Sequence, residues 1–261
     1  MKARWPEMAL SVLFALAVGC ASKSRPGDAD IVSSFNRYYL DGVGASGRIH
    51  DNRFLGVQTL QTPTDMWMLQ EILVEVRPDL VIETGTYKGG SALYFALLLE
   101  QINPEAKVIT IDRNALLDGT VADLPEPIRA QVKALAQRRI EFIQSNSVAP
   151  ELIAQLAARA KDKRVLVALD SCHAVEHVAR ELELYSPLVS KGSYLVVNDT
   201  RHDDDPKWLK KWAGCSGYER AGGPGLAVDE FLQSHSDFQA DRDRERFLLT
   251  WYPRGYLRRV R

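Results

Sequence analysis

Residues 79–99 read DLVIETGTYKGGSALYFALLL. The apolar run over 80–82 is typical of a buried parallel strand, and the apolar run after Ser91 is typical of a helix. Glycines at positions 85, 89 and 90 allow a sharp turn and let a ligand come close to the backbone. The free N–H groups at the start of the helix would face that ligand. The stretch therefore predicts a strand, a tight loop and a helix N-terminus. Together these could bind a cofactor, or the glycines could serve the turn alone, and glycine spacing by itself does not decide between the two.

Strand and helix signals alternate along the rest of the chain, which favours an open, doubly wound parallel α/β sheet of the Rossmann-like type. Such sheets bind ligands beyond the carboxyl ends of their strands. The predicted strands end in acids: Glu83, Asp112, Asp170 and Asp199. We therefore expect these four carboxylates at one rim, although each could alone be a turn residue. The patterns predict strands over 80–83, 107–112, 140–143, 164–170, 193–199 and 247–252, and helices over 64–76, 91–99, 127–138, 150–160, 174–185 and 226–233.

The composition sets broad limits. A chain of 261 residues has room for one α/β domain or a domain and a half. A net charge of −1 gives no reason to expect nucleic-acid binding. The three cysteines have neither zinc-site nor CxxC spacing, and their odd number argues against a disulfide framework.

The first 20 residues resemble an export signal. A basic start is followed by an apolar stretch over 8–18 that is too short to span a bilayer. The stretch ends in LAVGC, which resembles a bacterial lipobox with Cys20 as the lipidated residue. We therefore expect a signal over 1–20, a polar tether over 21–34 and a folded domain over 35–261, anchored to a membrane through Cys20. A wrongly chosen start codon or an N-terminal helix is the alternative, and the protein would then be cytoplasmic.

Several motifs together resemble the cephalosporin hydroxylase / rhamnosyl O-methyltransferase family. The resemblance extends from about Phe35 to the C-terminus. The residues that carry it are 83–91 (ETGTYKGGS), 170–173 (DSCH), 181–189 (ELELYSPLV), 193–200 (SYLVVNDT), 223–225 (GPG), 228–232 (VDEFL) and 244–250 (RERFLLT).

The resemblance implies a class I S-adenosylmethionine-dependent methyltransferase with a seven-stranded sheet whose last strand is antiparallel. It implies that Glu83, Gly85 and Ser91 hold the methionine end of the cofactor and that Asp112 holds its ribose. The turn at 145–147 would lie near the adenine. The complete set of implied cofactor-binding residues is Glu83, Gly85, Thr86, Gly89, Ser91, Asp112 and Asn146.

The resemblance also implies a divalent metal, Mg²⁺, on Asp170, Asn198 and Asp199. The family usually has Glu-Asp at the last pair, so Asn198 removes one charge while keeping an oxygen that can ligate Mg²⁺. The implied reaction is O-methylation of a hydroxyl on a sugar, a glycolipid or a small metabolite. The metal would lower the hydroxyl pKa and orient the oxygen for in-line displacement.

Proton transfer would need a base. His173 is the first candidate because it follows Asp170 by three residues, so Asp170 and His173 are the expected catalytic pair. His202 is the second candidate, and a purely structural histidine is the alternative for both. Cys172 is expected to be a packed small residue rather than a nucleophile.

Two other classes of function stay open. A nicotinamide-dependent oxidoreductase would use the same sheet, but its G-x-G-x-x-G fingerprint is absent from the loop at 85–90. A non-catalytic ligand-binding lipoprotein that keeps the fold is favoured by the export signal, since S-adenosylmethionine is made in the cytosol. The substrate is expected to be a small molecule or glycolipid, and whether copies of the chain form a homo-oligomer is left open. Tyr38, Tyr39 and Trp67 are expected to pack or to shape a lid, and the basic residues 258–261 to form a solvated tail.

Overall fold

The protein, analysed as a computed structural model, is described over residues 26–41, 48–115, 119–204 and 217–261. The expected signal over 1–20, with Cys20, lies outside these residues. The second half of the expected tether is helical, because helix α1 covers Asp28–Asn36. Across the described residues, no helix has both the length and the apolar character needed to cross a membrane.

Helices separate the successive strands from β3 to β8. The helices after α1 are α2 (Pro63–Val76), α3 (Gly90–Ile102), α4 (Gly119–Ala122), α5 (Ile128–Arg139), α6 (Pro150–Ala160), α7 (Val175–Tyr185) and α8 (Pro224–Ser234). The strands are β1 (Arg53–Phe54), β2 (Val57–Gln58), β3 (Leu80–Thr84), β4 (Lys107–Asp112), β5 (Ile140–Gln144), β6 (Val165–Leu169), β7 (Tyr194–Val197), β8 (Phe238–Ala240) and β9 (Tyr256–Arg259).

Seven strands form one sheet in the order β5-β4-β3-β6-β7-β9-β8. Strands β3 to β7 are parallel, while β9 is antiparallel to both β7 and β8. The expected seven-stranded sheet with an antiparallel last strand is therefore confirmed. The chain order reverses between β3 and β6, which is the place where such sheets open a crevice for ligands. Strands β1 and β2 form a separate antiparallel hairpin.

Helices cover both faces of the sheet. Alternate residues of each strand point to opposite faces, so neighbouring residues belong to different apolar clusters. Val81 belongs to an apolar cluster with residues of α2, α3 and α5. Its neighbours Leu80 and Ile82 belong to a second cluster with residues of α6, α7 and α8. The result is a three-layer α/β/α arrangement, which explains why the central strands read as continuous apolar runs.

The predicted strand over 247–252 is wrong. This segment is irregular, and the antiparallel strand of the sheet is β9, so the basic residues expected in a solvated tail lie largely within a strand. Backbone and side chain at 250–251 instead bond to a buried carboxylate: Thr250 Oγ1 donates to Asp65 Oδ1 (2.5 Å) and Trp251 N donates to Asp65 Oδ2 (2.8 Å). Thr250, Trp251 and Tyr252 are buried without pairing to a strand, whereas Phe247 is exposed.

Helix α2 begins at Pro63, one residue before the predicted start. Thr62 is its N-cap, and the Thr62 Oγ1 accepts a hydrogen bond from Asp65 N (3.1 Å). Trp67, expected to pack or to shape a lid, is 59% exposed. Of the expected lid aromatics, Tyr39 is buried in the core and Tyr38 is exposed.

Candidate active site

A cavity of about 790 Å³ lies beyond the carboxyl ends of β3, β4 and β6. One part of its wall comes from the loop after β3, the end of β4 and the turn after β5. The opposite part comes from the residues after β6 and β7. The expected site residues that line the cavity are Gly85, Thr86, Ser91, Asp112, Asn146, Asp170, His173 and Asp199.

The loop after β3 turns through left-handed backbone at Gly85 (φ 86°) and Gly89 (φ 83°). A Cβ at Gly85 would lie 1.9 Å from the carbonyl oxygen of Asp170, and a Cβ at Gly90 would lie 2.4 Å from that of Gln58. These glycines were expected to make room for a ligand. At Gly85 and Gly90 the structure shows that they first make room for neighbouring segments of the chain itself.

Glu83 is 1% exposed and lies behind the cavity wall. Its Oε2 accepts a hydrogen bond from Thr110 Oγ1 (2.6 Å), and Ser91 also donates to it. Thr86 Oγ1 pairs with Thr110 Oγ1 (2.7 Å). Burial raises the pKa of Glu83 to about 7. Neither Glu83 nor Gly89 lines the cavity among the described residues, so their direct contact with a cofactor stays a prediction.

Asp112, at the end of β4, organises the adjoining loops. Its Oδ2 accepts a hydrogen bond from Tyr87 N (3.1 Å) and its Oδ1 accepts one from Asn114 N (2.9 Å). Each carboxylate oxygen keeps a further lone pair for a ligand. Tyr87 has left-handed backbone (φ 49°), a conformation that the Asp112 contact helps to hold. Asn146, in the turn after β5, is exposed and faces the same cavity.

The opposite wall carries two acids. Gln61 Nε2 donates to Asp170 Oδ2 (2.8 Å), and the side chain of Asn198 also hydrogen-bonds to Asp170. Withdrawal from water and the nearby Asp199 raise the pKa of Asp170 well above its usual value. Burial, with a smaller contribution from the charge of Asp65, raises the pKa of Asp199 to about 7. Asp199 itself has left-handed backbone (φ 60°), a conformation that non-glycine residues rarely adopt.

These residues provide a setting that fits a cation. Among the described residues, no lysine or arginine forms an ion pair with Asp170 or Asp199. The amide oxygen Asn198 Oδ1 is buried and has no hydrogen-bond partner in the described part of the chain. A buried oxygen without a donor is costly unless a cation or a water molecule binds there, although Asn198 is not among the described residues that line the cavity.

The two histidines considered separately as bases lie together. His173 Nε2 is 3.2 Å from Asp199 Oδ2, and His202 Nε2 is 3.9 Å from the same oxygen. Burial lowers the pKa of His173 to about 4 and that of His202 to about 2. Both imidazoles are therefore neutral near pH 7.

Sequence reasoning missed a polar network beside the expected adenine turn. His177 Nε2 lies 3.1 Å from Ser147 Oγ and 3.1 Å from Ser171 Oγ, while its Nδ1 lies 2.8 Å from Tyr218 OH. Ser171 Oγ in turn donates to Glu181 Oε1 (2.8 Å). The spacing of His177 and Glu181 on one helix face was the available signal.

Cys172, expected to be a packed small residue rather than a nucleophile, is disulfide-bonded, which the odd number of cysteines gave no reason to expect. Cys20 and Cys215, the other two cysteines, lie outside the described residues.

The sheet order and a cavity that joins a glycine loop, the acid at the end of β4 and two further carboxylates are those of an α/β methyltransferase. The sequence matches the family described as Rhamnosyl O-methyltransferase/CmcI over residues 47–260. The chain belongs to this family. The expected family is confirmed.

Named relatives agree with this placement. The chain is 32% identical over 238 residues to a rhamnosyl O-methyltransferase of Mycobacterium bovis (strain BCG / Pasteur 1173P2), covering 89% of this chain and 86% of that protein. It is 33% identical over 209 residues to a rhamnosyl O-methyltransferase of Mycobacterium leprae (strain TN), covering 78% and 81%.

Solved structures agree on the fold. A structure titled CmcI-N160 apo-structure superposes with a TM-score of 0.57 at 20% identity, covering 85% of this chain and 82% of that one. A second, titled cmcI-D160 Mg-SAM, superposes with a TM-score of 0.56 at 20% identity, covering 87% and 84%. The methyltransferase fold expected from the resemblance is therefore confirmed.

Proposed function

We propose that this chain transfers the methyl group of S-adenosylmethionine to a hydroxyl group of a sugar. The curated relatives that bear the name rhamnosyl O-methyltransferase support the sugar, since one aligns with 89% of this chain. The observation that carries the proposal is the cavity itself, which joins the loop after β3 and Asp112 on one side to Asp170 and Asp199 on the other. A deoxyhexose such as rhamnose, free or within a glycolipid, is the acceptor class we infer.

The cofactor end of the cavity suits S-adenosylmethionine. This cofactor supplies the methyl group on a sulfonium, which makes transfer a single displacement. The N-terminal turn of α3 presents backbone N–H groups that suit the carboxylate of its methionine end. The Asp112 carboxylate retains lone pairs for the two ribose hydroxyls after accepting Tyr87 N and Asn114 N.

The acid end suits a divalent cation held by Asp170, Asn198 and Asp199, and Mg²⁺ is the ion we infer from the resemblance. A bound Mg²⁺ would act as a Lewis acid that lowers the pKa of the acceptor hydroxyl. The chain's own residues prepare this position: Gln61 and Asn198 hydrogen-bond to the Asp170 side chain and orient it. The unpartnered Asn198 Oδ1 fits the role of a third oxygen ligand.

A neutral histidine beside the acids can accept a proton. His173 is the stronger base of the two, because its pKa of about 4 exceeds the pKa of about 2 at His202. Both are weak bases, so the chain relies mainly on positioning the hydroxyl against the methyl carbon.

A direct test is incubation of the purified chain with methyl-labelled S-adenosylmethionine, Mg²⁺ and an alkyl rhamnoside. We expect one labelled methyl ether on the sugar by mass spectrometry, and loss of product in Asp199→Ala. Product with a catechol but with no deoxyhexoside would refute the sugar. Absence of product with every hydroxylated acceptor would refute the enzyme.

We infer further that the chain is exported and anchored through a lipidated Cys20. The disulfide at Cys172 supports an oxidising compartment, since cytosolic thiols are kept reduced. The same observation favours a second candidate function, a binding lipoprotein that has lost catalysis, because S-adenosylmethionine is made in the cytosol. Processing that is blocked by globomycin and by Cys20→Ala would support the anchor. A chain that fractionates with the cytoplasm would refute it.

A further inference from the structure

His173, Asp199 and His202 form a compact set of three ligand groups. One ligand atom from each, the Asp199 carboxylate oxygen and an imidazole nitrogen of each histidine, all lie within 4.8 Å of one another. The two imidazole rings are 4.9 Å apart, centroid to centroid, and meet edge to face at 83°. All three residues line the cavity.

The set is held in place by its own backbone. Asp199 and His202 are the ends of one turn, because His202 N donates to Asp199 O (2.9 Å). The left-handed backbone of Asp199 starts this turn directly after β7. The ring of His202 packs edge-on against Trp251 at 5.4 Å, and its side chain is only 3% exposed. Such a set needs little rearrangement to bind an ion.

The spacing is close to that of a metal site. Two ligand atoms that each lie about 2.1 Å from one ion are about 3.0–3.5 Å apart. The 3.2 Å separation of His173 Nε2 from Asp199 Oδ2 already falls in this range. The 3.9 Å separation at His202, and a largest separation of at most 4.8 Å within the set, would have to shorten when an ion binds.

The donor atoms favour a different class of ion from Mg²⁺. Mg²⁺ and Ca²⁺ prefer oxygen ligands, whereas imidazole suits Zn, Cu, Fe and Ni. The oxygen set beside it is one charge short, because position 198 is an asparagine. Two imidazole nitrogens with one carboxylate therefore favour a first-row transition metal.

We propose that His173, Asp199 and His202 bind a first-row transition-metal ion, and bind it more tightly than Mg²⁺. Asp199 is shared with the oxygen set of the proposed function, while the two histidines are additional ligands. A histidine nitrogen that binds the ion cannot also accept a proton, so in the metal-bound chain His173 is a ligand and not the base. The inference concerns which ion binds, and it holds whether or not the chain transfers a methyl group.

The test uses the full chain without an affinity tag, stripped of metal by a chelator and titrated with Co²⁺ and with Mg²⁺. We expect visible d–d absorption bands on addition of one equivalent of Co²⁺ and a dissociation constant at least about tenfold lower for Co²⁺ than for Mg²⁺. His173→Phe and His202→Phe should each weaken Co²⁺ binding by at least about tenfold. Copper EPR of the Cu²⁺-loaded chain should show nitrogen coupling that is reduced in either variant.

His235→Phe is the matched control, because His235 stacks on Phe231 outside the cavity. It should bind Co²⁺ as the unmodified chain does. If His202→Phe does not fold, as judged by thermal unfolding, His173→Phe alone decides.

Tighter binding of Mg²⁺ than of Co²⁺, or unchanged Co²⁺ binding in His173→Phe, would overturn the proposal. Failure of methyl transfer would leave these binding results untouched, so the two proposals are separable.

Discussion

Glu83 is a carboxyl group almost fully withdrawn from water at the end of β3. Its hydrogen bonds come from the hydroxyls of Thr110 and Ser91, which are neutral donors. Burial outweighs these bonds and raises its pKa from 4.5 to about 7. The folded chain therefore keeps a proton on Glu83 that the unfolded chain releases at lower pH.

Because the pKa of Glu83 differs between the folded and unfolded chain, the free energy of unfolding should depend on pH. Below pH 4.5 both states hold the proton and the contribution is fully present. Between about pH 4.5 and 7 only the unfolded state releases it, so stability should fall by about 3 kcal/mol and then level off above pH 7. Chemical denaturation at several pH values measures this.

Glu83→Gln provides the reference, because it keeps the shape of the protonated group and cannot titrate. The two proteins should have similar unfolding free energies at pH 4.5, and at pH 7.5 the unmodified chain should be less stable than Glu83→Gln by about 3 kcal/mol. A constant difference over this range would show that Glu83 is ionised in the folded chain.

The sequence predicted the acids at the strand ends, but it did not predict that His173 and His202 lie together. Acids at the ends of apolar runs are visible in the sequence, and parallel strands bring their ends to one rim. His173 lies near His202 because β6 and β7 are neighbours in the sheet and because the chain turns through left-handed backbone at Asp199. Neither feature can be read from the spacing of residues along the chain.

At the scale of elements, the loop after β3 is built on contact between chain segments. Gly85→Ala would place a methyl group 1.9 Å from the Asp170 carbonyl oxygen on backbone with φ 86°. Left-handed backbone costs about 1–2 kcal/mol for alanine, and the overlap adds about 1–3 kcal/mol. We expect Gly85→Ala to lower the free energy of unfolding by about 2–5 kcal/mol, measured by urea denaturation.

Gly192→Ala separates the two contributions. Gly192 has similar backbone (φ 81°), but a Cβ there would meet nothing within 4 Å. Gly192→Ala should lower the free energy of unfolding only by the cost of left-handed backbone for alanine, about 1–2 kcal/mol. Equal losses in the two variants would mean that the loop moves away from Asp170 without cost.

The interior strands could be predicted because a buried parallel strand needs an apolar run. The bounds of β4 and of helix α6 match the prediction at both ends. The C-terminal strand β9 could not be predicted in this way. In β9, Tyr256 and Leu257 are buried while Arg258 is exposed, so the strand reads as a basic tail. The more apolar segment before it packs as an irregular chain around Asp65, a long-range contact that local pattern does not contain.

At the scale of the molecule, Asp65 joins the start of α2 to the C-terminal segment. Its two carboxylate oxygens accept hydrogen bonds from Thr62 Oγ1 (2.6 Å), Thr250 Oγ1 (2.5 Å), Trp251 N (2.8 Å) and Tyr256 OH (2.8 Å). The side chain is fully buried. Residues almost 200 positions apart are held by this one group.

Asp65→Ala should therefore lower the free energy of unfolding by at least about 3 kcal/mol, because each buried donor left without an acceptor costs about 1–3 kcal/mol. Thermal and urea unfolding measure the loss. Glu100→Gln, which breaks surface ion pairs with Arg138 (3.1 Å) and Arg139 (3.5 Å), should change stability much less. Similar effects in both variants would contradict the structural role of Asp65.

Calorimetric titration with S-adenosylmethionine and with its demethylated product is the most direct test of the assigned cavity. We predict binding of one ligand per chain, weakened at least about tenfold by Asp112→Ala and unchanged by Asp170→Ala. Thermal unfolding of both variants would confirm that they fold. If the unmodified chain binds neither compound, or if Asp170→Ala abolishes binding while Asp112→Ala keeps it, the assignment of this cavity to the cofactor is wrong.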